Sequence, residues 1–199
     1  DKVAQMQRLS SLGRMVSTLA HQIRTPLSAA MLYGANLANQ SIPETSKVSF
    51  QSKLMSRLHD LEQQVNDMLL FAKSGGKQVV QTLAVNTVIS EAIAEIEPQI
   101  ERAKAKVSIN LCKQDCHLLG NKSALIGALQ NLINNSIEII GERAEISIAS
   151  YCLQDDVYIS IQDNGPGIGP ELKKSIFEPF VTAREKGTGL GLAVVKSVA

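Results

Sequence analysis

His21 opens the run His21-Gln22-Ile23-Arg24-Thr25-Pro26-Leu27, which sets a nucleophilic imidazole one helical turn from a hydroxyl. Thr25, four residues on, shares its helix face. Pro26 removes a backbone hydrogen bond in mid-helix, at a cost of about 3 kcal/mol that calls for a reason. Farther along stand Asn131-Leu132-Ile133-Asn134-Asn135, with three amides in five residues. Asn is a poor helix former, so this cluster is locally unfavourable. Asn131 and Asn135 share a face, and neutral amide oxygens suit a hard cation such as Mg²⁺ that already carries water and phosphate oxygens.

Two glycine-rich stretches complete the chemistry. Asp163-Asn164-Gly165-Pro166-Gly167-Ile168-Gly169 follows an apolar alternation, so a carboxylate at a strand end can accept from an exocyclic amine. Glycines beside it let a flat base approach the backbone. Gly187-Thr188-Gly189-Leu190-Gly191-Leu192 runs into a helix, whose exposed N–H groups and dipole favour phosphate. The spacing is neither the dinucleotide-binding fingerprint nor a Walker loop. Between them Ile176-Phe177-Glu178-Pro179-Phe180-Val181 supplies an apolar anchor for a lid.

These groups need two kinds of scaffold. Met6, Leu9, Gly13, Val16, Ala20, Ile23, Leu27, Ala30, Gly34 and Leu37 recur every three or four residues, a heptad seam. A turn at 41–46 containing Pro43 interrupts it, and it resumes at Leu54, Leu58, Leu61, Val65, Met68 and Ala72 until Gly75-Gly76. His21 lies roughly 130° from the seam direction and so faces water. A hairpin with apolar stripes on both arms has too little of its own to bury them against, which predicts a homodimer forming a four-helix bundle.

Beyond Gly76 the pattern alternates. Strands are expected at 79–83, 107–111, 116–119, 144–153 and 157–163. Helices are expected at 86–103, capped by Asn86, from Asn121 to about Ile140, and from Leu190 onward. The resulting class is α plus α+β, a helical hairpin (1–74) followed by an α/β sandwich (77–199) with helices on one sheet face.

A net charge of +1 argues against a nucleic-acid or anionic-membrane partner. No run is long and apolar enough to span a bilayer, so no membrane contact is expected and the site reads as cytoplasmic. The chain starts at Asp1 rather than Met, which reads as a piece of a longer protein. Cys112, Cys116 and Cys152 are odd in number and form no disulfide framework; with no partner pair for zinc, they read as reduced thiols near a strand pair.

In order and spacing, these motifs resemble the transmitter core of bacterial two-component sensor histidine kinases. His21 to Leu27 resembles the H box, Asn131 to Ser136 the N box, Asp163 to Gly169 the G1 box, Phe177 to Phe180 the F box, and Gly187 to Gly191 the G2 box. The resemblance implies a dimerisation and histidine phosphotransfer hairpin, then an ATP-binding domain of the GHKL (Bergerat) fold shared with Hsp90, MutL and gyrase. It implies ATP-dependent autophosphorylation of His21 and transfer to an Asp of a response regulator, with Thr25 serving the reverse dephosphorylation.

By the same resemblance Asp163 contacts adenine, and Asn135, helped by Asn131, holds Mg²⁺ on ATP. Gly165, Gly167, Ile168, Phe180, Thr182, Gly187, Thr188, Gly189, Leu190 and Gly191 line the nucleotide site. Arg184 and Lys186 stand where a lid places a phosphate-contacting cation. The short lid and the His-Gln pair are most similar to the FlrB and FleS sensors that control polar flagella.

Two departures stand out. Gln22 replaces the acidic residue that usually follows the phosphorylated His. An amide can orient an imidazole but cannot take its proton, although an imidazole in water is already mostly neutral at pH 7. Slow autophosphorylation is therefore expected. The chain also stops at Ala199, before the family's closing strands, so an open sheet edge and an uncovered last helix are expected. Two other readings stay open: a stand-alone ATPase of the Hsp90/MutL type, and a silent dimeric scaffold that switches on nucleotide.

Overall fold

The computed structural model describes residues 16–39, 41–73, 79–114, 116–182 and 187–199. They fall into two compact units, Asp1–Gly76 with Thr182–Thr188, and Lys77–Val181 with Gly189–Ala199.

The first unit is a helical hairpin of α1 (Val16–Ala38) and α2 (Glu44–Lys73). The expected break falls where Pro43 stands, and its carbonyl accepts from Ser46 and Lys47 N–H to start α2. Near the turn the arms are joined by rings: Tyr33 and Phe50 stack at 6.1 Å, and Lys53 Nζ lies 6.0 Å from the Tyr33 centroid. Leu19 and Ala30 of α1 are buried. The seam residues Leu27, Leu58 and Val65 each remain 44% exposed in the single chain, too open for a hairpin that buries its whole stripe internally. Met6, Leu9 and Gly13 lie outside the described residues.

The second unit carries two sheets. β1 (Gln81–Ala84) pairs antiparallel with β3 (His117–Gly120). β2 (Lys106–Asn110) runs parallel to β4 (Glu145–Leu153), which pairs antiparallel with β5 (Asp156–Asp163). In β4, Ile146, Ile148 and Ser150 are buried while Glu145 and Ser147 are exposed, the period-two signature of one packed face. That face meets α3 (Val85–Glu95) and α5 (Lys122–Ile140), with Val88, Ile89, Ile133, Ile146 and Ile148 almost wholly buried.

Several expectations need correcting. The stretch 86–103 is two helices, α3 and α4 (Glu97–Arg102), because Pro98 sits in the first turn of the second and cannot donate backward. Asn86 is not the cap. Ala84 occupies that position without a side-chain bond, and the Asn86 amide instead donates to Cys112 O at 3.0 Å. Asn121 caps α5 as expected, its Oδ1 accepting from Ala124 N at 2.8 Å. The last helix, α6 (Gly191–Val198), is not uncovered, because it packs on α5 and buries Ala193 and Val194. Cys116 and Cys152 are not both reduced: they form a disulfide, 36 residues apart in sequence. Parallel pairing of β2 with β4 brings the loop after β2 beside the end of β4, a long-range consequence that cysteine spacing does not display.

Candidate functional site

On α1, His21 is exposed, as its angle from the seam predicts. Thr25 is exposed one turn on, and its Oγ1 donates to His21 O at 3.2 Å. Pro26 is buried and offers no N–H to the Gln22 carbonyl one turn back. The Gln22 side chain is half-buried. Its Nε2 lies 3.5 Å from Gly187 O, at the outer limit of a hydrogen bond, and its Oε1 is buried without a partner among the described residues.

Asp163 is the best-organised group of the second unit. It ends β5 opposite Ile146, and the strand carries it to the sheet margin, where it is exposed. Ser136 Oγ donates to Asp163 Oδ2 at 2.7 Å, and Gly165 N donates to Asp163 Oδ1 at 2.9 Å. Ser136 Oγ also lies 3.3 Å from Leu132 O, but a hydroxyl has one proton, and the shorter, charge-assisted contact wins. Asn164 fixes the turn from the other side: its Oδ1 accepts from Glu145 N at 2.9 Å and its N–H donates to Glu145 O at 3.2 Å. Each carboxylate oxygen keeps lone pairs for an incoming donor.

The glycines around Asp163 are required for different reasons, space at Gly165 and backbone conformation at Gly167. A Cβ on Gly165 would stand 2.9 Å from Asp163 Oδ1 and 3.1 Å from Ile140 Cγ1. Gly167 has φ +75°, a left-handed conformation that costs an L-residue about 1 kcal/mol or more. Ile168 beside it is exposed.

The G2-like segment meets the F-like segment at Gly189. Phe180 N donates to Gly189 O at 2.9 Å, and a Cβ on Gly189 would lie 2.5 Å from Phe180 C. Gly189 has φ +65° and Phe180 itself φ +69°, an uncommon state for a bulky residue. Leu190 is wholly buried, and Thr188 is buried with its hydroxyl donating to Asp67 Oδ2 at 2.8 Å. Gly187 is half-buried and Thr182 exposed. Arg184 and Lys186 lie outside the described residues.

Asn131 and Asn135 lie one turn apart on α5. Asn131 is buried, and its amide nitrogen has no partner among the described residues. Gly191 packs on it, with a notional Cβ 3.6 Å from Asn131 Cγ. Asn135 is half-buried. Ser136, one residue on, falls within the N-box pattern but had no role from the sequence. A serine in mid-helix, where its propensity is poor, was the available signal.

Known protein families match both parts of the chain. The His Kinase A (phospho-acceptor) domain matches residues 11–77, and the histidine kinase-, DNA gyrase B- and HSP90-like ATPase domain matches residues 120–199. The catalytic domain of histidine kinase ThkA is 30% identical, with a TM-score of 0.57 over 61% of this chain and 80% of that one. The chain belongs to the sensor histidine kinases.

The structure of ThkA in complex with the response regulator TrrA matches 98% of this kinase chain and 56% of that one, at 27% identity and a TM-score of 0.76. Sensor protein kinase FleS of Pseudomonas aeruginosa is 40% identical over 188 residues, 94% of this chain and 46% of FleS. AtoS of Escherichia coli K12 is 27% identical over 99% of this chain and 32% of AtoS. The chain thus spans less than half the length of these two curated relatives. Among its described residues, no helix is long and apolar enough to cross a membrane.

Proposed function

We propose that this chain is the catalytic core of a protein-histidine kinase, with 1–74 as the dimerisation and phosphotransfer hairpin and 77–199 as the ATP-binding domain. ATP would dock with its adenine amine on Asp163, beside the turn that Gly165 and Gly167 shape. Its phosphates would lie toward the N-terminus of α6, where the backbone N–H groups of Gly187, Gly189 and Gly191 would receive them. Exposed Ile168 would cover the base. Phe180, Thr182, Thr188 and Leu190 would contribute to nucleotide binding, and Arg184 and Lys186 would serve as phosphate-contacting cations.

The amide oxygens of Asn135 and Asn131 form a neutral, oxygen-donor set on one helix face, which fits Mg²⁺. Bound there, Mg²⁺ would offset charge on the phosphates. An imidazole nitrogen of His21 would attack the γ-phosphorus, the bond to the β–γ bridging oxygen would break, and ADP would leave. The phosphoramidate is a high-energy donor and would pass its phosphoryl group to an Asp of a response regulator. Thr25 would orient water for the reverse dephosphorylation. These steps require ATP and a receiver domain, so they would run in the cytoplasm. The likeness to FleS favours a regulator of flagellar transcription.

The observation that carries this reading is the fork on Asp163, where Ser136 and Gly165 each hold one carboxylate oxygen at a strand end. Its test is incubation with γ-labelled ATP. Acid-labile label on the wild-type chain and none on His21→Ala, with nucleotide binding intact in both, is the expected result. Nucleotide binding without label would instead support the silent scaffold. Phosphate release without label would support a stand-alone ATPase.

A further inference from the structure

The three cysteines lie together at the end of the β4–β5 hairpin opposite Asp163. Cys152 pairs with Val157 across the hairpin, whereas Asp163 pairs with Ile146. Six residues separate those registers, about 20 Å along a strand, so the sulfurs are remote from the nucleotide site. Cys116 and Cys152 are bonded, with Cα atoms 6.6 Å apart, a usual separation for a disulfide. Cys112 is a free thiol, and all three sulfurs lie within 4.8 Å of one another.

Their exposures differ. Cys116 is buried in the core, Cys112 is half-buried and Cys152 is exposed. Cys152 stands on the strand register of buried Ile146, Ile148 and Ser150, but one step past the point where the core ends. The backbone around Cys112 is held by a closed ring of bonds. Asn86 Nδ2 donates to Cys112 O at 3.0 Å, Cys112 N donates to Ser150 Oγ at 2.9 Å, and Ser150 Oγ donates to Asn86 Oδ1 at 3.0 Å. Cys116 O accepts from Val85 N at 2.9 Å. Both ends of the link from β2 to β3 are therefore anchored, and a third sulfur is presented to an existing disulfide.

We propose that Cys112, Cys116 and Cys152 form a thiol–disulfide exchange site that responds to low-molecular-weight thiols and disulfides of the glutathione class. In the reducing direction, an external thiolate attacks exposed Cys152 Sγ. The Cys116–Cys152 bond breaks, a mixed disulfide forms at Cys152, and Cys116 leaves as a thiolate that takes a proton from water. A second external thiol then attacks the mixed disulfide at its external sulfur. Cys152 is released as a thiol, and the two external thiols depart as one disulfide, so two electrons have passed to the protein. Alternatively Cys112, its proton lost to water, attacks Cys152 Sγ of the mixed disulfide as a thiolate; Cys112–Cys152 forms, and the external thiolate leaves and takes a proton from water. This second route stores the oxidised state in a different pair. Cys112 is the resolving thiol.

The closed disulfide links residues 36 apart, ties the β2–β3 link to the β4–β5 hairpin, and restricts the unfolded chain. Reduction should lower the Tm of the ATP-binding domain by about 5–15 °C.

The test equilibrates the purified chain with mixtures of reduced and oxidised glutathione, then applies acid quench, differential alkylation and peptide mass spectrometry, with Tm measured in parallel. Expected are a disulfide–dithiol transition at one glutathione ratio, both Cys116–Cys152 and Cys112–Cys152 linked peptides, and the drop in Tm on reduction. Cys112→Ser should keep the first pair and accumulate the glutathione adduct on Cys152 at least fivefold over wild type. Three cysteines alkylated equally in every mixture, or an adduct level indifferent to Cys112→Ser, would overturn the proposal. So would reduced protein that retains one zinc per chain and shields all three thiols from alkylation, the mark of a three-thiolate metal site.

Discussion

Ser136 Oγ donates to Asp163 Oδ2 at 2.7 Å, joining the C-terminal part of α5 to the last residue of β5 across 27 residues of sequence. With Gly165 N on the other oxygen, this bond fixes the plane of the carboxylate before any ligand arrives. Ser136→Ala should therefore weaken ATP binding about 5- to 20-fold, the range for one charge-assisted hydrogen bond at a partly exposed site. Its Tm should change by only a few degrees, because the higher helix propensity of Ala partly offsets the lost bond. Fluorescent-nucleotide titration beside a thermal melt checks both. Unchanged affinity would mean that Asp163 is oriented by its glycine turn alone.

Gly165 and Gly189 should fail in different ways. At Gly165 the nearest obstacles to a new methyl group are side chains, Asp163 Oδ1 at 2.9 Å and Ile140. Side chains yield, so Gly165→Ala should displace Asp163 and cost roughly tenfold in nucleotide affinity, with little change in Tm. At Gly189 the obstacles are backbone atoms of Phe180 at 2.5 and 2.6 Å, and φ is +65°. Gly189→Ala should lose both binding and several degrees of Tm, since the backbone must shift. Equal melting temperatures for the two variants would contradict the distinction.

What the sequence revealed of this follows from how local each feature is. His21 facing water is a matter of counting 100° per residue along one helix, and Asn121 capping α5 is a contact three residues long. Both were legible. Asp163 was legible as a strand-end carboxylate, but its Ser136 partner depends on how α5 lies across the sheet, which no spacing encodes. Asn86 looked like a cap because Asn is often one. Its amide is claimed instead by Cys112 O and Ser150 Oγ, 26 and 64 residues away. The disulfide was hidden for the same reason. Proximity of Cys116 to Cys152 is a product of strand order, whereas an odd cysteine count suggests only free thiols.

Under the proposed mechanism, a substitution at Gln22 should accelerate phosphotransfer. Its amide cannot accept the imidazole proton, and its Nε2 contact with Gly187 O at 3.5 Å is too long to cost much when lost. Gln22→Glu should raise the initial rate of His21 labelling about tenfold or more, as a carboxylate in place of an amide can act as a general base. The rate is read by quench-flow with labelled ATP at saturating concentration. An equal or lower rate would show that the amide is not what limits the step.

Asn121 gives a prediction of stability that is independent of any activity. Its Oδ1 caps Ala124 N at 2.8 Å, and its Nδ2 donates to Val79 O at 3.2 Å, so one side chain starts α5 and holds the chain entering β1. Asn121→Ala should cost about 1–2 kcal/mol. For a domain of this size that is about 4–12 °C in Tm. Asn121→Asp keeps the cap acceptor and loses the donor, so it should recover most of the loss. If Asp and Ala melt alike, the bond to Val79 O is the one that matters.

Leu58 tests the inference that the hairpin completes its core with a second copy. It lies on the α2 seam, and like Leu27 and Val65 it is 44% exposed in the single chain. An Asp there can stay hydrated in a monomer but would be forced from water in a four-helix bundle, while the burial of Leu is lost as well. Together these should weaken dimerisation at least 100-fold, since about 3 kcal/mol corresponds to that factor. Ser56→Asp, on the same helix but off the seam, controls for helix propensity and should leave the dimer intact. Sedimentation across a concentration series distinguishes the two variants. A Leu58→Asp dimer as tight as wild type would mean that the exposed stripe is covered by something other than its copy.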